Sequence, residues 1–217
     1  MLEGRKLSIE MQRDSNSRVW TFLSLLISLA CVLLLASLWI GLSIAPFSTI
    51  GLQGSMFHIL NHAVMKGAAF IAVAGIVTAL AITHVDKLKG LARRMPITSL
   101  GLVISLLALA GVPPLSGFWS KLMLFGAAID SGTVVWWGPW LAVAGVLNSA
   151  LSLAYYGWII RKMYFEGERE KRIKEPRSII AIMIFSIIFM VTIGVYPEPI
   201  IQFTEFATPA INVVFTP

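Results

Sequence analysis

Five stretches of the chain, residues 19–44, 55–83, 97–128, 134–160 and 179–196, are almost free of charge over lengths that a soluble domain has no means to bury. A helix crossing a bilayer needs about 20 apolar residues, so each stretch reads as one crossing. Composition agrees, with 57% hydrophobic residues, 13% charged residues and a mean hydropathy of +0.82, far from a globular norm. The expected fold class is an all-α integral membrane protein of about five transmembrane helices. The first stretch could be mistaken for a secretory signal, but it is far longer than an h-region and no A-x-A-like site follows it, so it reads as a retained helix. The third is discontinuous at Gly111–Gly117, because Pro113 and Pro114 remove backbone donors while Gly111 and Gly117 let the chain unwind.

The charges give an orientation. All but two of the 17 Lys and Arg lie before residue 19, between the second and third stretches, or between the fourth and fifth. The intervening connections and the tail carry only Asp130, Glu198 and Glu205. Positive segments stay on the cytoplasmic side, which predicts a cytoplasmic segment 1–18, a five-helix domain 19–196 and a tail 197–217 along the outer surface. The net charge of +6 is thereby explained by topology, with no call for a nucleic-acid partner. Trp39, Trp136, Trp137 and Trp140 fall near the outer interface, and Trp20, Trp158 and Tyr164 near the inner one. The mixed-charge run 161–177 reads as a solvated extension or a dock for a neighbouring loop. The single cysteine, Cys31, excludes a disulfide scaffold, an iron–sulfur cluster held by this chain, and a Cys-based zinc site.

The two remaining basic residues, Lys66 and Lys121, sit inside apolar stretches. A Lys at the bilayer centre costs about 2.5–3.5 kcal/mol on insertion scales, which makes each a functional-site hypothesis. His58 and His62 precede Lys66 at i, i+4, i+8. This spacing places all three on one helix face, about 6 Å apart along the axis. Imidazoles titrate near neutral and a desolvated ammonium is held only at an energetic cost, so the row can pass a proton. Two His one turn apart could also ligate a metal, though no third ligand is evident; a b-type haem needs His on opposing helices, and His84 cannot face His58. Polar side chains that merely hydrogen-bond across a bundle remain open as well. Lys121 follows the break at Gly111, Pro113, Pro114 and Gly117, and freed carbonyls at such a break must face protein or water. Asn61, Ser120, Asn148, Ser152 and Tyr155 are the candidates to line or support a path. No Asp or Glu lies inside a stretch, so each buried Lys is expected to draw a counter-charge from another chain or to be neutral part of the time.

The run His58-Ile-Leu-Asn-His62-Ala-Val-Met-Lys66, with Phe70 and Gly75, resembles the H-x-x-x-H-x-x-x-K helix of the antiporter-like proton-channel subunits. These occur in respiratory complex I, Mrp-type sodium/proton antiporters and membrane-bound hydrogenases or sulfane reductases. Leu109-Ala-Gly-Val-Pro-Pro-Leu-Ser-Gly-Phe-Trp-Ser-Lys121 is similar to that family's broken helix, and Asn148-Ser-Ala through Tyr155-Tyr156 and Gly194-Val-Tyr-Pro197 also fit. The resemblance spans about residues 55–197. It implies that Lys66 carries protons on a central polar axis, that His58 and His62 relay to it, and that Lys121 is the terminal lysine at the exit.

Family members have about fourteen helices in two inverted five-helix repeats, and this chain looks like the last five alone, without the first-half Glu and Lys. The resemblance therefore implies a membrane subunit of a prokaryotic redox-driven ion pump or antiporter, in the cell membrane. Other membrane subunits would be its partners, one of them supplying the missing half or the acidic counter-charges, and H⁺ or Na⁺ would be the moving ion. It implies no catalysis by this chain alone and no cofactor within it; the oxidoreductase chemistry would belong to the assembly. A non-conducting structural subunit and a separate solute transporter are the alternatives.

Overall fold

The computed structural model describes residues 49–81, 85–167 and 171–215, with side chains as far as residue 207 apart from that of Asp86. The first apolar stretch, 19–44, lies outside the described residues, as do Cys31, Trp20, Trp39 and His84. Every regular element described is helical: α1 (Thr49–Leu80), a 3₁₀ turn (Val85–Leu88), α2 (Leu91–Arg94), α3 (Pro96–Ala110), α4 (Ser116–Asp130), a 3₁₀ turn (Ser131–Thr133), α5 (Gly138–Phe165), α6 (Arg177–Val195) and α7 (Glu198–Phe215). Among the described residues, α1, α5 and α6 are each long and apolar enough to cross a membrane. The helices α3 and α4, each of 15 residues, make one further crossing together, split where the two prolines stand. The protein is thus an all-α integral membrane protein with a crossing that is discontinuous between α3 and α4.

The broken crossing lies at the centre, with α1, α5 and α6 all packed against it. Its neighbours fit closely because glycine removes the Cβ at each tight approach. A methyl at Gly54 would sit 3.0 Å from the Cβ of Met123, and one at Gly145 would clash with the ring edge of Phe125. At Gly117 a Cβ would strike the Ala108 carbonyl, and at Gly194 the Pro114 carbonyl. Both positions flank the break, so the end of α6 and the start of α4 close on it from two sides. The pairings 54 with 123 and 145 with 125 also set direction: α1 and α5 both run antiparallel to α4.

One apolar core, built from Met65, Ala68, Ala72, Ile76, Leu102, Leu106, Ala108, Met163, Met183 and Met190, lies between α1, α3, α5 and α6. The outward faces of α5 and α6 are equally apolar. Leu147, Leu151, Phe185 and Ile188 are exposed on them, as expected of helices solvated by lipid or neighbouring chains rather than water. Trp136 and Trp140 are exposed near the start of α5, whereas Trp137 turns inward onto Ala127, Ala128 and Ala142.

Two further segments frame the bundle. The tail 197–217, with four prolines, forms a helix over most of its length: α7 packs against α1, burying Thr204 and leaving Phe203 and Phe206 exposed. The mixed-charge connection divides in two. Residues 161–165 extend α5 as helix, with Arg161 exposed, whereas 171–176 have no regular structure and pair with the connection between α1 and α3 through Ile173 N–H donating to Arg94 O at 3.0 Å.

Gly117→Ala would force the two halves of the broken crossing apart. The expected cost is about 1–3 kcal/mol, as for other overpacked sites, read as a lower thermal midpoint of the solubilised protein. Gly126→Ala, where a Cβ meets nothing within 4 Å, leaves the midpoint in place.

Candidate ion-conducting site at the helix break

The site is best built from the backbone of α3 outward. An α-helix ends with four carbonyls that lack an intrahelical partner, and Pro113 and Pro114 cannot supply N–H groups to continue the ladder. Gly111 adopts φ 89, the left-handed conformation that closes a helix at low cost. From there its N–H donates to Leu107 O at 3.1 Å and Ala108 O at 3.0 Å, and Val112 N–H donates to Leu107 O at 3.1 Å. Leu109 O and Ala110 O are left. Lys121 Nζ donates to both, at 2.7 and 3.1 Å, and to Ser149 Oγ on α5 at 3.0 Å. Its stem lies against Gly111, where a Cβ would come within 3.0 Å of Cδ. The charge in this apolar layer is therefore spent on the carbonyl end of α3, which carries roughly half a negative charge from the helix dipole.

Helix α1 supplies the second part. His58 Nδ1 lies 2.9 Å from Ser120 Oγ, one residue before Lys121, and Ser120 Oγ also donates to Gly117 O at 3.3 Å. Asn61 Nδ2 donates to Ser116 O at 2.8 Å. The His58 and His62 ring centroids are 5.1 Å apart, close to the rise of one turn. Lys66 follows on the same face, partly buried, with Nζ hidden from the surface. His58, Asn61 and His62 are all buried, and each of the two lysines acts electrostatically on both imidazoles.

Of the sequence-derived candidates, the structure gathers Lys121, Ser120, His58, His62 and Asn61 around the break, with Lys66 continuing the row along α1. It does not gather the candidates on α5. Asn148 is exposed, Ser152 Oγ donates to Asn148 O at 2.8 Å, and Tyr155 is 45% exposed and faces away. Ser149 takes the position instead, since one residue turns a helix by about 100° and only the rotation of α5 in the bundle decides which side chain looks inward. Within this chain, Lys121 is met by carbonyls and a hydroxyl and not by a described carboxylate, in keeping with the absence of Asp and Glu from the apolar stretches. Among the described residues, no group of three His, Cys, Asp or Glu side chains comes together as a metal site.

Residues 26–152 match the family model described as NADH:quinone oxidoreductase/Mrp antiporter, transmembrane, and the chain belongs to that family. It is 35% identical over 176 residues to F(420)H(2) dehydrogenase subunit N of Methanosarcina mazei, covering 76% of this chain and 34% of that protein. It is 34% identical over 153 residues to NADH-quinone oxidoreductase subunit N of Desulfitobacterium hafniense, covering 70% and 30%. The chain thus spans about a third of the length of these relatives. Among solved structures, the archaeal membrane-bound sulfane sulfur reductase complex matches with a TM-score of 0.65 at 29% identity over 86% of this chain and 42% of that chain. The Mrp complex from Dietzia sp. matches in fold, with a TM-score of 0.66 at 21% identity over 90% of this chain and 48% of that one.

Ser120 is the side chain that orients the His58 ring. Ser120→Ala is expected to change the ¹⁵N resonance pattern of the His58 imidazole in solid-state spectra while leaving that of His62 nearly in place; identical spectra would show the contact to be incidental.

Proposed function

We propose that this chain forms part of the ion path of a multi-subunit, redox-driven pump or antiporter in a prokaryotic cell membrane. Protons, or Na⁺ exchanged for them, move along Lys66, His62 and His58 to Lys121. The observation that carries this reading is the position of Lys121 Nζ, held by two carbonyls of a broken helix and one hydroxyl. An ammonium so placed is stabilised by dipoles rather than by a carboxylate. Dipoles remain favourable partners for a transient charge and cost far less than an ion pair when that charge leaves.

Ser120 links the two halves of the path, since its hydroxyl touches His58 and precedes Lys121 in the chain. Two ammonium groups flanking two imidazoles in a low-dielectric interior repel each other more strongly than in water, so protonation at one end favours release at the other. Redox chemistry in other subunits would drive the cycle by moving charge near one end of the row. This chain's own residues hold and transfer the proton. In this reading the N-terminal segment and the loops after α1 and α5 face the cytoplasm and α7 lies on the outer side, an orientation that the basic residues of those connections support. Other membrane subunits, of the kinds named for the relatives, are the partners that cover the exposed faces of α5 and α6.

Lys66→Ala and Lys121→Ala are each expected to leave the assembled complex intact and to cut ion translocation per electron at least about tenfold, in line with loss of a group worth more than 1.4 kcal/mol to the transfer. Proton uptake into vesicles measures this, and full translocation by both variants removes the reading. Ser149→Ala, which takes away one hydrogen bond to a charged group, is expected to slow transport by about tenfold or more. Asn148→Ala leaves transport within about twofold, because surface changes cost little.

A further inference from the structure

Helix α3 ends on Lys121, but it begins on a second buried charge that the ion path does not use. Its first residue, Pro96, has no N–H, and its N-cap residue, Met95, offers no side-chain bond. The Ser99 N–H is satisfied by Met95 O at 2.9 Å. The two N–H groups left over, Ile97 and Thr98, donate to Glu175 Oε1 and Oε2 at 3.2 and 2.8 Å, and Thr98 Oγ1 donates to Oε2 at 2.6 Å. Glu175 is only 6% exposed. The carboxylate arrives from the connection between α5 and α6, held in place by the Ile173 N–H bond to Arg94 O at 3.0 Å. Further along, Glu166 approaches Lys89 at 3.4 Å and Arg161 at 3.7 Å.

One short helix is therefore tied at both ends by charges of the sign its dipole favours, a carboxylate at the start and an ammonium at the finish. The face buried against its neighbours mixes small side chains, Thr98, Gly101, Ser105 and Ala108, with Leu102 and Leu106, and at Gly101 the neighbour is the flexible Met183 side chain. Because residues 111–115 join α3 to α4 without a continuous helix, the hydrogen bonds at the two ends of α3 add to this packing in setting where its carbonyl end meets Lys121.

We propose that Glu175 is a positioning residue for the Lys121 site, setting through α3 where the Leu109 and Ala110 carbonyls meet the ammonium. The role rests on the conducting reading of Lys121, and it adds that the basic connection on the far side of the membrane holds the site in register. A side chain 77 residues away in sequence from Thr98 thereby controls geometry at the opposite end of a helix about 22 Å long.

Hydrogen exchange and ion translocation of the assembled, membrane-embedded complex test this together, in the wild type, Glu175→Ala, Glu175→Gln and Lys121→Ala. Glu175→Ala is expected to speed exchange of the Gly111 and Val112 amides at least about tenfold, as for loss of hydrogen bonds to a charged group, with the amides of α5 and α6 unchanged. Translocation should fall severalfold. Glu175→Gln, which keeps one acceptor oxygen, should lie between, and it supplies the same two readouts if the alanine variant does not assemble. Faster exchange confined to Ile97 and Thr98 makes Glu175 a local cap and overturns the proposal. So does full translocation with the break loosened, provided that Lys121→Ala stops transport. If Lys121→Ala itself transports normally, the conducting reading fails instead, while the exchange result still decides whether Glu175 governs the break.

Discussion

In a layer without water, every peptide group needs a partner inside the protein, and an orphaned carbonyl there costs more than almost any packing defect. The chain breaks this rule on purpose at 111–115 and repairs it with a lysine. Leu107 O and Ala108 O are closed by the amides of Gly111 and Val112, and Leu109 O and Ala110 O by Lys121 Nζ. The rest of the architecture follows from that repair. The two half-helices stand at the centre because their exposed ends tolerate no lipid, α1 and α6 are pressed against them through Gly117 and Gly194, and α5 turns Ser149 inward to complete the lysine's shell.

In the proposed ion path, the same arrangement makes the charge useful. A buried ion pair is costly to form and costly to break, so a carboxylate beside Lys121 would hold its proton fast. Helix-end carbonyls and a hydroxyl give a shallower well. In the proposed ion path, His58, tied to Ser120 at 2.9 Å, exchanges a proton with that well through the hydroxyl. At the opposite end of α3, Glu175 supplies the charge that the spanning segments lack, outside the apolar layer and acting along the helix instead of against the ammonium.

Much of the site was legible from residue types at fixed spacing. His58, His62 and Lys66 recur every four residues, which places them on one face whatever the bundle does, and the observed ring separation of 5.1 Å is close to that spacing. The two prolines announced the break, and its glycines announced the tight approaches. On α5 it is Ser149 that bonds Lys121, and not Asn148 or Ser152, because periodicity defines a face but not its azimuth. Glu175 was passed over since it lies in a loop rich in charge, where nothing local distinguishes one carboxylate from its neighbours.

What the sequence determined alone was everything set by local chemistry and by the cost of polarity in lipid: helical crossings, the position of the break, the row on α1 and two lysines that need a reason to be buried. What only the tertiary structure decided was which groups those lysines meet. Hydrogen bonds from Lys121 to residues 12 and 28 positions away, and from Thr98 to one 77 positions away, depend on how whole helices rotate and slide against each other. Packing between apolar faces settles that rotation, and its energy is spread over many small contacts that no short stretch of sequence contains.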